Sequence, residues 1–180
     1  MKSINQIIKE TINKVISTND RYDKPAFEML IGIPGSGKSR YLKSIPRNNI
    51  SIVCPDDIRR ERTGDVSKQY DNKKVWIEAR KRIKESISKG LYTILDATNV
   101  DTGKRRDMLS MIRSEFPGID TYARIFDADP EVSKQRIKND LENKVDRSKV
   151  PDEVIDRMYK QYLDTLNNIN SEGFTEIFKQ

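Results

Sequence analysis

The chain has 180 residues, 35% of them hydrophobic and 34% charged, with a formal net charge of +6. That is enough for one compact domain with its own core, and no run approaches the ~18 apolar residues of a membrane span. Histidine is absent and Cys54 is the single cysteine, which excludes an internal disulfide, histidine-based triads and His-x-x-x-His zinc sites, and leaves carboxylates, lysines or tyrosines as proton acceptors.

In chain order, residues 3–16 set Ile4, Ile7, Ile8, Ile12, Val15 and Ile16 at helical spacing, an expected N-terminal helical extension within residues 1–25. Residues 27–31 read as a short buried strand that runs straight into Gly32-Ile33-Pro34-Gly35-Ser36-Gly37-Lys38-Ser39, with a helix starting over residues 40–44. Residues 49–54 form a second strand ending at Pro55-Asp56-Asp57. Residues 71–89 repeat apolar side chains at Val75, Trp76, Ala79, Ile83 and Ile87, an amphipathic helix closed by Gly90. The basic residues Lys73, Lys74, Arg80, Lys81, Arg82 and Lys84 on this helix read as a solvated face, with guidance of a phosphate backbone as the alternative.

A third strand, residues 91–95, ends at Asp96-Ala97-Thr98-Asn99; residues 101–116 are helical and stop at Pro117-Gly118; residues 119–126 are a fourth strand. Asp129-Pro130-Glu131 is a helix start, with a capping carboxylate, proline at the first position and an acid at the positive end of the dipole. That helix is expected to dissolve into the charged stretch 138–149. Pro151-Asp152-Glu153 opens a last helix bearing Val154, Ile155, Met158, Tyr162, Leu163 and Leu166, and residues 174–178 read as a final edge strand. The alternation specifies an α/β fold with a parallel sheet of four to five strands covered by helices on both faces, in one domain spanning residues 1–180.

Gly32 to Ser39 matches G-x-x-x-x-G-K-[ST] between a strand and a helix. Gly32, Gly35 and Gly37 let the backbone curl so that the N–H groups of the loop, Ile33 and Ser36 included and Pro34 aside, point inward at phosphate oxygens. Lys38 is the mobile cation for the β- and γ-phosphates of ATP, and the Ser39 hydroxyl is the Mg²⁺ ligand.

In open parallel sheets, function gathers at the carboxyl ends of the strands. There Asp56 either caps the short helix it precedes or faces the γ-phosphate, where it can accept a proton from an attacking hydroxyl; the two readings are compatible. Arg59, three residues on, is placed to hold a phosphate flanking that hydroxyl.

The phosphate loop, Asp56-Asp57-x-Arg59, Asp96-Ala97-Thr98-Asn99 with Lys104-Arg105-Arg106, and Val150-Pro151 leading to Met158-Tyr159 occur in this order. Together they resemble the kinase module of phage and bacterial polynucleotide 5′-kinases, over about residues 27–166. The resemblance implies a kinase core over residues 26–170, Asp56 as general base, Arg59 on the 3′-phosphate beside the acceptor, and Thr98 and Asn99 near the acceptor. It places Asp96 where a Walker-B carboxylate would lie. It further implies a helical lid at about residues 134–150 whose Arg136 and Arg147 clasp the ATP phosphates, although the stretch between them is longer and more acidic than such a lid requires.

The implied activity is transfer of the γ-phosphate of ATP, with Mg²⁺, to the 5′-hydroxyl end of DNA or RNA during nucleic-acid repair, in a cytoplasmic protein without membrane association. A kinase of a small molecule (nucleoside, sugar nucleotide or antibiotic) and a non-catalytic ATP-binding switch remain open as rival readings. Asp127-Ala128-Asp129 superficially resembles a phosphatase motif, but Glu131 stands where that motif has threonine, so Asp129 is read as a helix cap and no 3′-phosphatase activity is expected.

Overall fold

Five strands pair in parallel: β1 (Ala26–Ile31), β2 (Ile50–Val53), β3 (Tyr92–Leu95), β4 (Asp120–Ile125) and β5 (Glu176–Lys179), in the order β2-β3-β1-β4-β5. This computed structural model describes residues 3–4, 21–64, 72–143, 145 and 148–180. The expected N-terminal helix, apart from Ser3 and Ile4, lies outside the described residues, and so does Arg147. The helices are α1 (Lys38–Ser44), α2 (Pro55–Thr63), α3 (Asn72–Ser88), α4 (Thr102–Glu115), α5 (Pro130–Glu142) and α6 (Asp152–Asn168), with 3₁₀ turns at Arg21–Asp23 and Ile169–Ser171.

β1 is central and buried along its whole length, which is why it reads as a nearly continuous apolar run. Its alternate residues serve two cores. Phe27, Met29 and Ile31 meet Ala79 and Ile83 of α3, Leu109 and Ile112 of α4, Ile137 of α5 and Ile155 of α6 on one face. Ala26 and Leu30 join Tyr22, Leu42, Tyr92, Ile94 and Phe126 on the other. Each such fully buried large side chain contributes about 1.5–3 kcal/mol.

Glu28 is the exception in this strand. It is fully buried, with its carboxylate accepting from Arg124 Nε and the Tyr92 hydroxyl and, at 3.3 Å, from the Tyr41 hydroxyl. Tyr41 in turn shares a 2.9 Å hydroxyl contact with Tyr22, and the Arg124 guanidinium lies 4.5 Å from the Tyr41 ring and 4.6 Å from the Phe178 ring. The sequence pattern gave no sign that a charge pair sits in the middle of the sheet.

Three expectations need correction. The helix after β4 does not dissolve at residue 138 but continues to Glu142, because Ile137 and Leu141, one turn apart, both pack on the core. Leu163 and Leu166 of α6 are exposed; the buried stripe runs through Ile155, Tyr162 and Thr165, and Leu163 lies about 100° round the helix from Tyr162. The last strand is shifted to Glu176–Lys179.

The basic face of α3 is heavily paired. Arg82 bonds Glu61 at 2.6 Å and Glu78 at 2.9 Å, Lys81 lies 3.8 Å from Glu85, and Lys84 meets Glu115 of α4. Such exposed pairs are worth little each, and they fit the reading of a solvated surface.

Candidate active site

The direction of winding changes at β1, with β3 on one side and β4 on the other. The carboxyl ends of the strands therefore open into a crevice there. The loop Gly32–Gly37 fills its floor. Gly35 (φ 84°) and Gly37 (φ 105°) take conformations that side chains disfavour. A Cβ on Gly35 would also lie 3.2 Å from the Ser133 carbonyl oxygen, so the loop rests directly on the backbone of the first turns of α5. Gly37 begins α1 without any side-chain cap, and Lys38 Nζ donates to the carbonyls of Gly32 (2.7 Å) and Ile33 (2.9 Å). Ser39 follows on the exposed side of the first turn of α1, and Arg136 of α5 donates to the Gly35 carbonyl at 2.8 Å.

The chain leaves β2 through Cys54 into α2. Val53 pairs with Leu95 across the sheet, and Asp96 N–H donates to the Val53 carbonyl at 2.9 Å, which sets Cys54 beside Asp96. Burial raises the Asp96 carboxyl above its usual range; Lys38 opposes this, Asp56 and Asp57 add to it, and a hydrogen bond from the Cys54 thiol opposes it. Cys54 is pushed up to about 12, first by burial and then by the charge of Asp96. Asp96 thus lies within electrostatic reach of Lys38, Asp56 and Asp57.

Asp56 lies inside the first turn of α2 and does not cap it, because Pro55 takes the first helical position and Cys54 the cap. Its exposed carboxylate pairs with the Nη1 of Arg59. Arg59 itself is buried and also donates to Asn72 Oδ1 at the start of α3, at 3.2 Å. Asp57 makes the parallel pair with Arg60, at 2.6 Å, on the outer face.

The loop after β3 is stitched to the phosphate loop. Gly32 N–H donates to the Thr98 carbonyl at 3.0 Å. Asn99 adopts φ 48° and turns its amide nitrogen onto the Leu30 carbonyl at 2.7 Å. Its amide N–H₂ therefore serves backbone carbonyls of β1 and of its own segment.

Sequence reading missed two elements of this site. One is a groove of about 660 Å³ on the opposite flank of the loop, where Arg40 and Tyr41 of α1 face Phe126, Asp127, Arg136 and Gln180. It is assembled from four distant segments, joined by the edge-to-face contact of Tyr41 with Phe126, centroids 5.6 Å apart, by the Arg136 bond to the Gly35 carbonyl and by the Asp127 N–H bond to the Gln180 carbonyl at 3.3 Å. The other is Arg105, which the Lys104-Arg105-Arg106 run disguises as surface and which is 1% exposed. Asp129 does cap α5, accepting from the N–H groups of Glu131 (2.9 Å) and Val132 (3.0 Å).

A family model described as an AAA domain matches residues 28–164. The chain belongs to the AAA domain family. Among solved structures, this AAA domain is similar to a chain of the Pnkp1/Rnl/Hen1 RNA repair complex, with a TM-score of 0.67 and 22% identity over 84% of this chain and 48% of that one. A second structure of the Pnkp1/Rnl/Hen1 complex aligns with a TM-score of 0.54 and 25% identity over 64% of this chain and 40% of that one. The PezAT chromosomal toxin–antitoxin system of Streptococcus pneumoniae gives a TM-score of 0.56 and 14% identity over 99% of this chain and 80% of that one.

The chain spans about half the length, or less, of the two repair-complex chains it matches. No curated protein matches. The AAA domain therefore has the P-loop kinase fold. Among the described residues no helix is long and apolar enough to cross a membrane.

Proposed function

We propose that this protein transfers the γ-phosphate of ATP to the 5′-hydroxyl end of a nucleic acid, in nucleic-acid repair in the cytoplasm. The observation that carries the reading is the convergence, at the ends of the neighbouring strands β1, β3 and β2, of the phosphate loop, Asp96 and the Asp56–Arg59 pair. The likeness to the Pnkp1 repair complex supports the choice of acceptor.

In this reading the Asp56 carboxylate accepts the proton of the 5′-hydroxyl as its oxygen bonds to the γ-phosphorus. The bond from that phosphorus to the bridging oxygen breaks, and ADP leaves with the electron pair. A base in this position contributes about 10²–10⁴-fold. Lys38 and the lid residues Arg136 and Arg147 spread the charge on the transferring group, a role in which one arginine contributes roughly 10³–10⁵-fold.

Arg59, now drawn to Asp56, holds the 3′-phosphate of the acceptor nucleotide, and Thr98 and Asn99 lie on the acceptor side. The 660 Å³ groove beside Tyr41 and Phe126 takes the nucleoside of ATP. The site's donors suit Mg²⁺: the Ser39 hydroxyl is a hard oxygen ligand, and Asp96 is a buried carboxyl within electrostatic reach of Lys38. Ser39 and Asp96 would hold Mg²⁺ there, and the ion would neutralise charge on the β- and γ-phosphates. The kinase core occupies residues 26–170 of one domain, with the lid at about 134–150.

A second reading, phosphorylation of a small molecule, draws on the likeness to the PezAT protein across 99% of this chain, since the same fold there serves a toxin–antitoxin system. An assay with γ-labelled ATP and, side by side, a 5′-hydroxyl oligonucleotide, a 3′-nucleotide, a free nucleoside and a sugar nucleotide separates the two. Label on the oligonucleotide and the 3′-nucleotide is expected. Label only on the free nucleoside or the sugar nucleotide would replace the first reading by the second.

A further inference from the structure

The side of the crevice that carries Asp96 and Thr98 is held in place by a buried ion pair that contributes no group to the crevice. Arg105, in the second turn of α4, forms a two-pronged pair with Glu172, and both side chains are fully buried. Its remaining N–H groups reach the Asn99 carbonyl (2.8 Å), the Thr165 hydroxyl (2.9 Å) and the Thr102 hydroxyl (3.0 Å). The one proton of the Thr165 hydroxyl is shared between the Gln161 carbonyl of its own helix (2.8 Å) and the Val100 carbonyl (3.0 Å). One guanidinium thus ties α4, α6 and the turn before β5 to residues 99–100.

Asn99 transmits this to the phosphate loop. Its left-handed backbone is one that side-chain-bearing residues disfavour, and its carbonyl is gripped by Arg105 while its amide grips the Leu30 carbonyl. One residue earlier, the Thr98 carbonyl receives the N–H of Gly32, the first residue of the phosphate loop. A continuous chain of bonds therefore runs from Glu172 through Arg105 and Asn99 to the junction of β1 and the phosphate loop.

We infer that Arg105 and Glu172 are positioning residues of the phosphoryl-transfer site, fixing the Asp96–Asn99 loop at its working distance from Gly32 and Lys38. The inference rests on the phosphotransferase reading for its kinetic consequence but not for its structural one. Slackening the pair lets the acceptor-side loop drift from the phosphate loop while the loop's own contacts with Ser133 and Arg136 on the other flank stay intact. ATP should still bind; alignment of acceptor and donor should suffer.

The test compares wild type, Glu172→Gln and Thr165→Val in the full chain, by hydrogen exchange and by γ-phosphate transfer well below the melting temperature. In Glu172→Gln the segments containing Gly32 and Asn99 are expected to exchange at least about tenfold faster, as for local opening of a low-stability unit, with the middle of β4 unchanged. Turnover at saturating substrates should fall by about 10- to 100-fold, the scale of a 1 Å misplacement, with the KM for ATP within about twofold. Thr165→Val, which keeps the shape and removes the hydroxyl link, should show the same pattern more weakly.

Unchanged exchange at Gly32 and Asn99 would overturn the inference, as would a loss of turnover that merely tracks the unfolded fraction. If Glu172→Gln fails to fold, the exchange pattern of Thr165→Val decides by the same criterion. If wild type labels no acceptor, the proposed activity falls while the exchange result still judges the brace.

Discussion

The buried charge in the middle of the sheet offers a direct measure of how the phosphate-loop helix is anchored. Replacing Glu28 by Gln removes the carboxylate that pairs with Arg124, leaving that guanidinium between the rings of Tyr41 and Phe178. Both partners are almost inaccessible, at 0% and 8% of the side chain exposed. Breaking a pair of this kind costs about 3–5 kcal/mol. For a chain of this size each kcal/mol shifts the melting temperature by about 2–4 °C, so Glu28→Gln should lower it by roughly 6–20 °C.

Removing both charges in Glu28→Gln/Arg124→Met should cost less than the sum of the single changes by about 1–3 kcal/mol, read from urea unfolding at pH 7 across the four proteins of the cycle. Additivity within about 0.5 kcal/mol would refute the reasoning, because the two groups would then contribute independently.

Alkaline titration probes the same cluster. Burial, then the charge of Glu28, raise the Tyr92 and Tyr41 hydroxyls above their ordinary value of about 10. The folded state thus keeps protons that the unfolded chain releases, so stability is full below about pH 10 and should fall as the pH rises above it, less steeply in Glu28→Gln. Asp56→Ala should lower phosphate transfer by about 10²–10⁴-fold with the dissociation constant for ATP unchanged; near-normal turnover would remove Asp56 as the base. Arg59→Ala should raise the acceptor KM by about 10- to 100-fold, the worth of one hydrogen bond to a charged group, and an unchanged value would free Arg59 from that assignment. With its thiol pushed up to about 12, Cys54 should react with iodoacetamide at pH 8 more than about 100-fold more slowly in the folded protein than in urea.

What the sequence discloses here follows from how local each cause is. β1 and the phosphate loop are legible because a strand buried on both faces must be apolar and a loop that wraps phosphate must be glycine-rich, and both rules act over a few residues. Asp129 as a cap is legible for the same reason. The end of α5 is not, since the charged residues after Lys138 hide the Ile137–Leu141 pair that holds its last turns to the core. Arg105 and Glu172 stand 67 positions apart, and neither carries any local mark of burial. The groove is harder still, as Tyr41, Phe126, Arg136 and Gln180 meet only through the strand order.

That strand order has a consequence for traffic. The groove lies on the β4–β5 flank of the glycine loop and the Asp56–Arg59 pair on the β3–β2 flank. If the proposed reaction holds, donor and acceptor approach from opposite flanks of the glycine loop, so spent nucleotide can be exchanged while the acceptor stays in place.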